Sequence, residues 1–156
     1  MGYSAYDSAA IAVIIIAVLI GLAIGITIMI FYLLTLQNTL KEVSPENQQM
    51  PPGQVWLALI PLFGIVWMFI VVNKIADSLR AEFAKRNVQV EEARPGYGIG
   101  LTYCILNCCG IIPLLGPLAG LGGFVCWIIY WVKISNYKRK LQMTKPIITQ
   151  SQTQTF

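Results

Sequence analysis

The chain has 156 residues, 56% of them hydrophobic and 12% charged, with a formal net charge of +4 and no histidine. Such a composition lies outside the soluble globular class, and without histidine the commonest general acid/base and the usual zinc or haem ligand are gone. Of the 11 Lys and Arg, five lie in 74–94 and five from Lys133 onward, so the positive-inside rule reads both segments as cytoplasmic.

Residues 9–34 carry no charge for 26 positions. A bilayer core of about 30 Å needs fewer, so a first transmembrane helix is predicted over 9–36, tilted or protruding. The run is too long for a signal peptide and is expected to be retained. Ala17, Gly21 and Gly25 recur every four residues, a face that admits a close helix partner from the same chain or another copy. Residues 37–54 read as an outer loop punctuated by Ser44-Pro45 and Pro51-Pro52-Gly53, with Trp56 entering the outer aromatic belt.

A second transmembrane helix is predicted over 55–73, kinked at Pro61 because proline removes one hydrogen bond and crowds the preceding turn. It runs into a cytoplasmic amphipathic segment, 74–94. There Ile75, Leu79 and Phe83 share one face while Lys74, Asp77, Ser78, Glu82, Lys85 and Arg86 fill the others. Arg94-Pro95-Gly96-Tyr97-Gly98-Ile99-Gly100 then breaks and restarts the helix. This GxGxG lacks the preceding strand of a nucleotide loop.

From Pro95 to Val132 there is no charge for 38 residues, about 57 Å as one helix. That length predicts a hairpin of two transmembrane helices, 97–115 and 118–133, turning at Pro113, Gly116 and Pro117. Trp127, Tyr130, Ile134, Tyr137 and Leu141 form a stripe that continues into the cytoplasmic tail, 134–156. Tyr97, Tyr130 and Trp131 read as an inner aromatic belt with Lys133 snorkelling beside them. From Met143 the tail is Thr/Gln-rich and expected to be disordered alone, its Thr149, Ser151, Thr153 and Thr155 suiting extended docking on a neighbour.

The fold expected is therefore all-α and polytopic: one membrane domain, four transmembrane helices as two hairpins, and both termini inside. Amphipathic extensions follow helices 2 and 4. A weak internal repeat places Lys74-Ile75 over Lys133-Ile134, as in parallel-repeat membrane folds.

No Asp, Glu, Lys or Arg falls inside an apolar span, whereas proton-coupled transport generally needs an ionisable group at that depth. Asn107 is the best candidate for interhelical hydrogen bonding. Cys104, Cys108, Cys109 and Cys126 all lie in the last two apolar segments, with no CxxC pair, and read as packing residues. No catalytic residue, cofactor site or metal site is assigned, and no nucleic-acid partner is expected. Lys74, Arg80, Lys133, Lys138, Arg139 and Lys140 are candidates for contact with anionic lipid headgroups.

The runs LIPLFGIVWMFIVVNKIADSLRAEF, ARPGYGIGLTYCIL and CWIIYWVKISNYKRKL resemble a group of small four-helix integral membrane proteins of bacterial genomes, a family of unknown function, over residues 55–141. The resemblance implies placement in a bacterial inner membrane. The function expected is a non-enzymatic accessory or scaffold subunit, with membrane lipids and other subunits or copies of itself as partners. A homo-oligomeric channel lined by Pro61, Asn107, Gly120, Gly122 and Gly123 is the alternative, and a membrane thiol oxidoreductase the third.

Overall fold

The computed structural model describes residues 3–110, 112 and 115–153, with side chains described for 8–110, 112 and 115–144. Pro113, part of the expected turn, lies outside the described residues, as do Thr155 and the side chains of Thr149, Ser151 and Thr153. Among the described residues the chain is all-helical: α1 (Tyr3–Glu42), 3-10 segments at Pro45–Asn47 and Pro52–Leu59, α2 (Phe63–Lys85), α3 (Tyr97–Cys109) and α4 (Gly116–Thr153). Two of these, α1 and α4, are long and apolar enough to cross a membrane.

The chain divides into two compact units, Met1–Leu34 and Thr35–Phe156. The first is the N-terminal part of α1. Its most apolar 18-residue window has mean hydropathy 3.1 and none of it is buried. Thr27 satisfies its own hydroxyl by donating to the Ala23 carbonyl one turn back at 2.8 Å, so this hydroxyl can enter an apolar medium already paired.

The second unit is a bundle of the last turns of α1, α2, α3 and α4. Gly100 faces Val72 and Tyr130, Gly96 faces Ile134, and Gly123 faces Leu106, so α3 runs antiparallel to both α2 and α4. Phe83 meets Tyr137, and Arg86 meets Leu141, so α2 and α4 run parallel. Arg86 also binds the Glu42 carbonyl, and Trp131 donates to Thr35, so the end of α1 runs parallel to both. The core is built from the expected stripes: Ile75, Leu79 and Phe83 on α2 and Tyr130, Ile134, Tyr137 and Leu141 on α4 are all buried.

The parallel run of α2 and the last turns of α1, from Thr35 on, differs from the antiparallel hairpin expected of helices 9–36 and 55–73. The chain returns between them through Pro52–Leu59, a 3-10 segment, and not through a transmembrane helix starting at 55. Pro61 does not kink a helix. It stands at the junction where Leu62 adopts φ +64° and α2 begins at Phe63, the residue that follows proline's forbidden continuation. Gly64 is needed there because a Cβ would come within 2.1 Å of the Ala58 carbonyl oxygen.

Other boundaries differ as well. α3 is 13 residues long, about 20 Å, where a helix over 97–115 was expected to cross about 30 Å. α4 does not stop at 133 but continues as helix through Thr153, so the tail backbone is helical there and neither disordered nor extended. The GxGxG glycines serve packing: Gly96 has φ +75°, and a Cβ on Gly100 would lie 2.6 Å from Val72 Cγ1 and 2.8 Å from Tyr130 Cε2. Tyr130 is a core residue and not part of an aromatic belt.

Candidate functional site

Three features of the chain carry chemistry or recognition: a buried polar interlock, a pocket between α3 and α4, and the surfaces left open. The interlock centres on Glu82 of α2, 1% exposed. Its carboxylate accepts from the Ser44 backbone N–H at 3.0 Å, the Ser44 hydroxyl at 2.9 Å and the Asn47 amide at 2.7 Å. Arg86, one turn on, adds Nε at 2.7 Å. The guanidinium also donates to the Leu141 carbonyl at 2.6 Å, the Thr144 hydroxyl at 3.0 Å and the Glu42 carbonyl at 3.2 Å. Arg86 thus ties the ends of α1 and α2 to the flank of α4 at Leu141 and Thr144, and gives the Glu42 carbonyl at the end of α1 a charged donor. Gln48 does the same for α1 by donating to the Leu40 and Val43 carbonyls.

Burial raises the Glu82 carboxyl, but the hydrogen bonds from Asn47, Ser44 and Arg86 outweigh it and hold the group below its ordinary value. Glu92 follows the same pattern: burial raises it, while Lys133 and the Gly96 N–H hold it down. Arg94 pairs with Asp77 at 2.7 Å and lies over the Tyr97 ring at 4.1 Å. Exposed Lys85 pairs with Glu46.

These contacts correct the expected sidedness. Residues 37–54 were placed outside and 74–94 inside, yet Ser44, Asn47 and Glu46 bind Glu82 and Lys85, and the Gln49 N–H donates to the Ser78 hydroxyl at 2.9 Å. The two segments share one end of the second unit. Ser78, Glu82 and the Arg86 side chain, expected on solvated faces, are buried. Sequence reasoning missed them because a hydrogen-bonded buried carboxylate looks like any charge beside an apolar stripe. The one available signal was Ser44-Pro45-Glu46-Asn47, a donor-rich turn with no other use.

The pocket, about 270 Å³, lies between α3 and α4 and includes Asn107, Gly120 and Gly123 in its lining. Asn107 was expected to bridge helices. Its amide instead donates along its own helix to the Tyr103 hydroxyl at 3.4 Å. Pro61 does not line this pocket, and neither does Gly122. All four cysteines are free thiols, Cys104 buried.

The open surfaces are of two kinds. On α1, Ala17, Gly21 and Gly25 are exposed, and a Cβ on either glycine would meet nothing within 4 Å. Of the six cations expected to contact lipid, Lys133, Arg139 and Lys140 line one pocket on α4. Lys74 and Arg80 are on α2, and Lys138 turns away from that pocket. Among the described residues no three His, Cys, Asp or Glu side chains are grouped to hold a metal ion. No family model, curated protein or solved structure matches the chain.

Proposed function

We propose that the chain is a non-enzymatic scaffold subunit of a bacterial inner-membrane assembly, joined to its partner through α1. One observation carries this: a helix without charge over residues 9–34, whose most apolar 18-residue window has mean hydropathy 3.1 and is wholly unburied, with a small-residue face at Ala17, Gly21 and Gly25 open to a second helix. The use of the buried ionisable groups supports the same reading. Glu82 is saturated by Ser44, Asn47 and Arg86, so its chemistry is spent on holding the end of α2 to the turn after α1.

In this reading α1 crosses the bilayer once and carries its own ends to opposite faces. Glu42 lies at the end that bears the basic segments, which is cytoplasmic by the positive-inside rule. Residues 43–50, the end of α2 and residues 141–144 of α4 share that face.

The test is mild-detergent extraction from the native membrane with a tag after Phe156, followed by mass and composition of the complex. A fixed stoichiometric partner, lost in a Gly21→Ile, Gly25→Ile variant, is the expected result. Recovery as a monomer, or release of the chain by alkaline carbonate, overturns the reading. A homo-oligomeric channel remains the second reading, favoured by the convergence of Asn107, Gly120 and Gly123 on one pocket. It requires a pure homo-oligomer and liposome flux that Asn107→Leu abolishes.

A further inference from the structure

α4 changes character along a single exposed face. Leu118, Leu121, Val125, Ile129 and Val132 follow one another at steps of three and four and are 78%, 71%, 54%, 46% and 55% exposed, a continuous apolar strip with nothing of this unit over it. The strip spans 15 residues, about 21 Å from first to last along the helix. One leaflet of a bilayer core is about 15 Å deep, so the strip is long enough for an acyl chain of one leaflet.

The same face then turns cationic without a break. Lys133, Asn136, Tyr137, Arg139, Lys140 and Met143 line a pocket of about 370 Å³. No carboxylate is among the lining residues. Lys133 is already paired with Glu92, whose other oxygen accepts from the Gly96 N–H at 2.7 Å and the Tyr137 hydroxyl at 3.4 Å. Arg139 and Lys140 are exposed and form no ion pair among the described residues. Asn136 adds an exposed amide donor one turn from Lys140.

We propose that this face binds an anionic phospholipid: the phosphodiester sits in the pocket against Arg139 and Lys140 with Asn136 and Lys133 beside it, and an acyl chain lies along Leu118–Val132. The charge complementarity favours an anion, and the apolar strip directly above it, long enough to cover one leaflet's depth, favours a lipid over an acidic protein or free phosphate. A guanidinium and an ammonium offer a fork and a point charge to the same phosphoryl oxygens. The inference rests on the membrane placement proposed above, and deepens it by naming the lipid class and its residues.

The test is native mass spectrometry of the full chain in mild detergent, titrated with phosphatidylglycerol and with phosphatidylcholine of the same acyl chains. The first phosphatidylglycerol binds more tightly than phosphatidylcholine. Arg139→Gln and Lys140→Gln each reduce that preference about fivefold and the double variant about 30-fold, while Lys140→Arg keeps it. Lys41→Gln, an equal loss of charge on the other side of the bundle's sequence, leaves it unchanged. Helical circular dichroism and melting of these surface variants match the parent, which separates lost binding from lost folding.

Equal binding of the two lipids by the parent overturns the inference, and so does an equal loss of preference in Lys41→Gln, which makes the effect one of net charge. Inorganic phosphate that binds alone and displaces phosphatidylglycerol assigns the pocket to free phosphate and overturns the lipid assignment. Failure of the underlying membrane placement shows separately, as release by alkaline carbonate. A chain that stays in the membrane yet shows no lipid preference sinks this inference alone.

Discussion

Removing the guanidinium of Arg86 isolates the role of the buried interlock. The side chains of Arg86 and Glu82 are 5% and 1% exposed, so solvent screens neither. In Arg86→Met, Glu82 keeps its donors from Ser44 and Asn47 but loses its countercharge. The carbonyls of Leu141 and Glu42 lose a donor at the same time. Breaking one partner out of a buried pair costs about 3–5 kcal/mol, and a second unit of this size should lose on the order of 10 °C in melting temperature. Replacing both partners, as Glu82→Leu with Arg86→Met, leaves no uncompensated charge and should cost less than the sum of the singles, with a coupling of about 2 kcal/mol. The assay is thermal and denaturant unfolding in mild detergent, followed by circular dichroism. A loss below about 1 kcal/mol in Arg86→Met, or strict additivity in the double variant, refutes the idea that this pair fastens α1, α2 and α4 to one another.

Acid should loosen the same end. Glu82 and Glu92 are held below their ordinary 4.5 in the folded chain, so the stability they contribute is present above that value and is lost as pH falls through the folded values. Unfolding midpoints should be level from pH 7 to 5 and drop below about pH 4, less so in Glu82→Gln. Glycines two residues apart should respond with opposite sign. Gly100→Ala meets Val72 at 2.6 Å and costs about 1–3 kcal/mol by overpacking, whereas Gly98→Ala meets nothing within 4 Å and gains up to about 1 kcal/mol from helix propensity. In a cysteine-free background, Glu46→Cys and Gln142→Cys should react with a membrane-impermeant maleimide from the same side of sealed vesicles. Labelling from opposite sides would falsify the shared polar end.

The apolar stripes were legible because periodicity survives any arrangement of helices: Ile75, Leu79 and Phe83 face the core whether α2 lies in a membrane or beside α4. The restart at Tyr97 was legible for a similar local reason, since Gly96 at φ +75° precedes a new helix, but the stop was not: α2 already ends at Lys85, where Asn87 takes φ +52°, and not at Arg94. Direction was not legible. An uncharged run of 18 residues from Val55 has the length of a crossing helix, and nothing in its hydropathy distinguishes that from a 3-10 return followed by a helix that starts at Phe63. What decides is tertiary: Ser44 and Asn47 lie beside Glu82, which forces the connection after α1 to begin and α2 to end at the same place. The candidate lipid cations were legible as a set, but only the α4 helical phase shows which of them share a pocket.

The basic charge of the second unit divides into two populations with different physics. Between residues 35 and 144 there are ten Lys and Arg and six Asp and Glu; four of each are consumed in ion pairs, which leaves six cations and two carboxylates. The paired cations tie chain segments to one another, and the Glu82–Arg86 pair is buried enough to escape ionic screening. The remaining cations face outward, where a Debye length of about 8 Å at physiological salt governs them. Raising salt from 0.05 M to about 0.5 M should therefore leave the melting temperature of the bundle within about 2 °C while eroding any preference for anionic lipid several-fold. A parallel loss of both would mean that the outward charges also hold the fold; an effect on neither would mean that the net positive charge serves orientation during insertion and has no binding role afterwards.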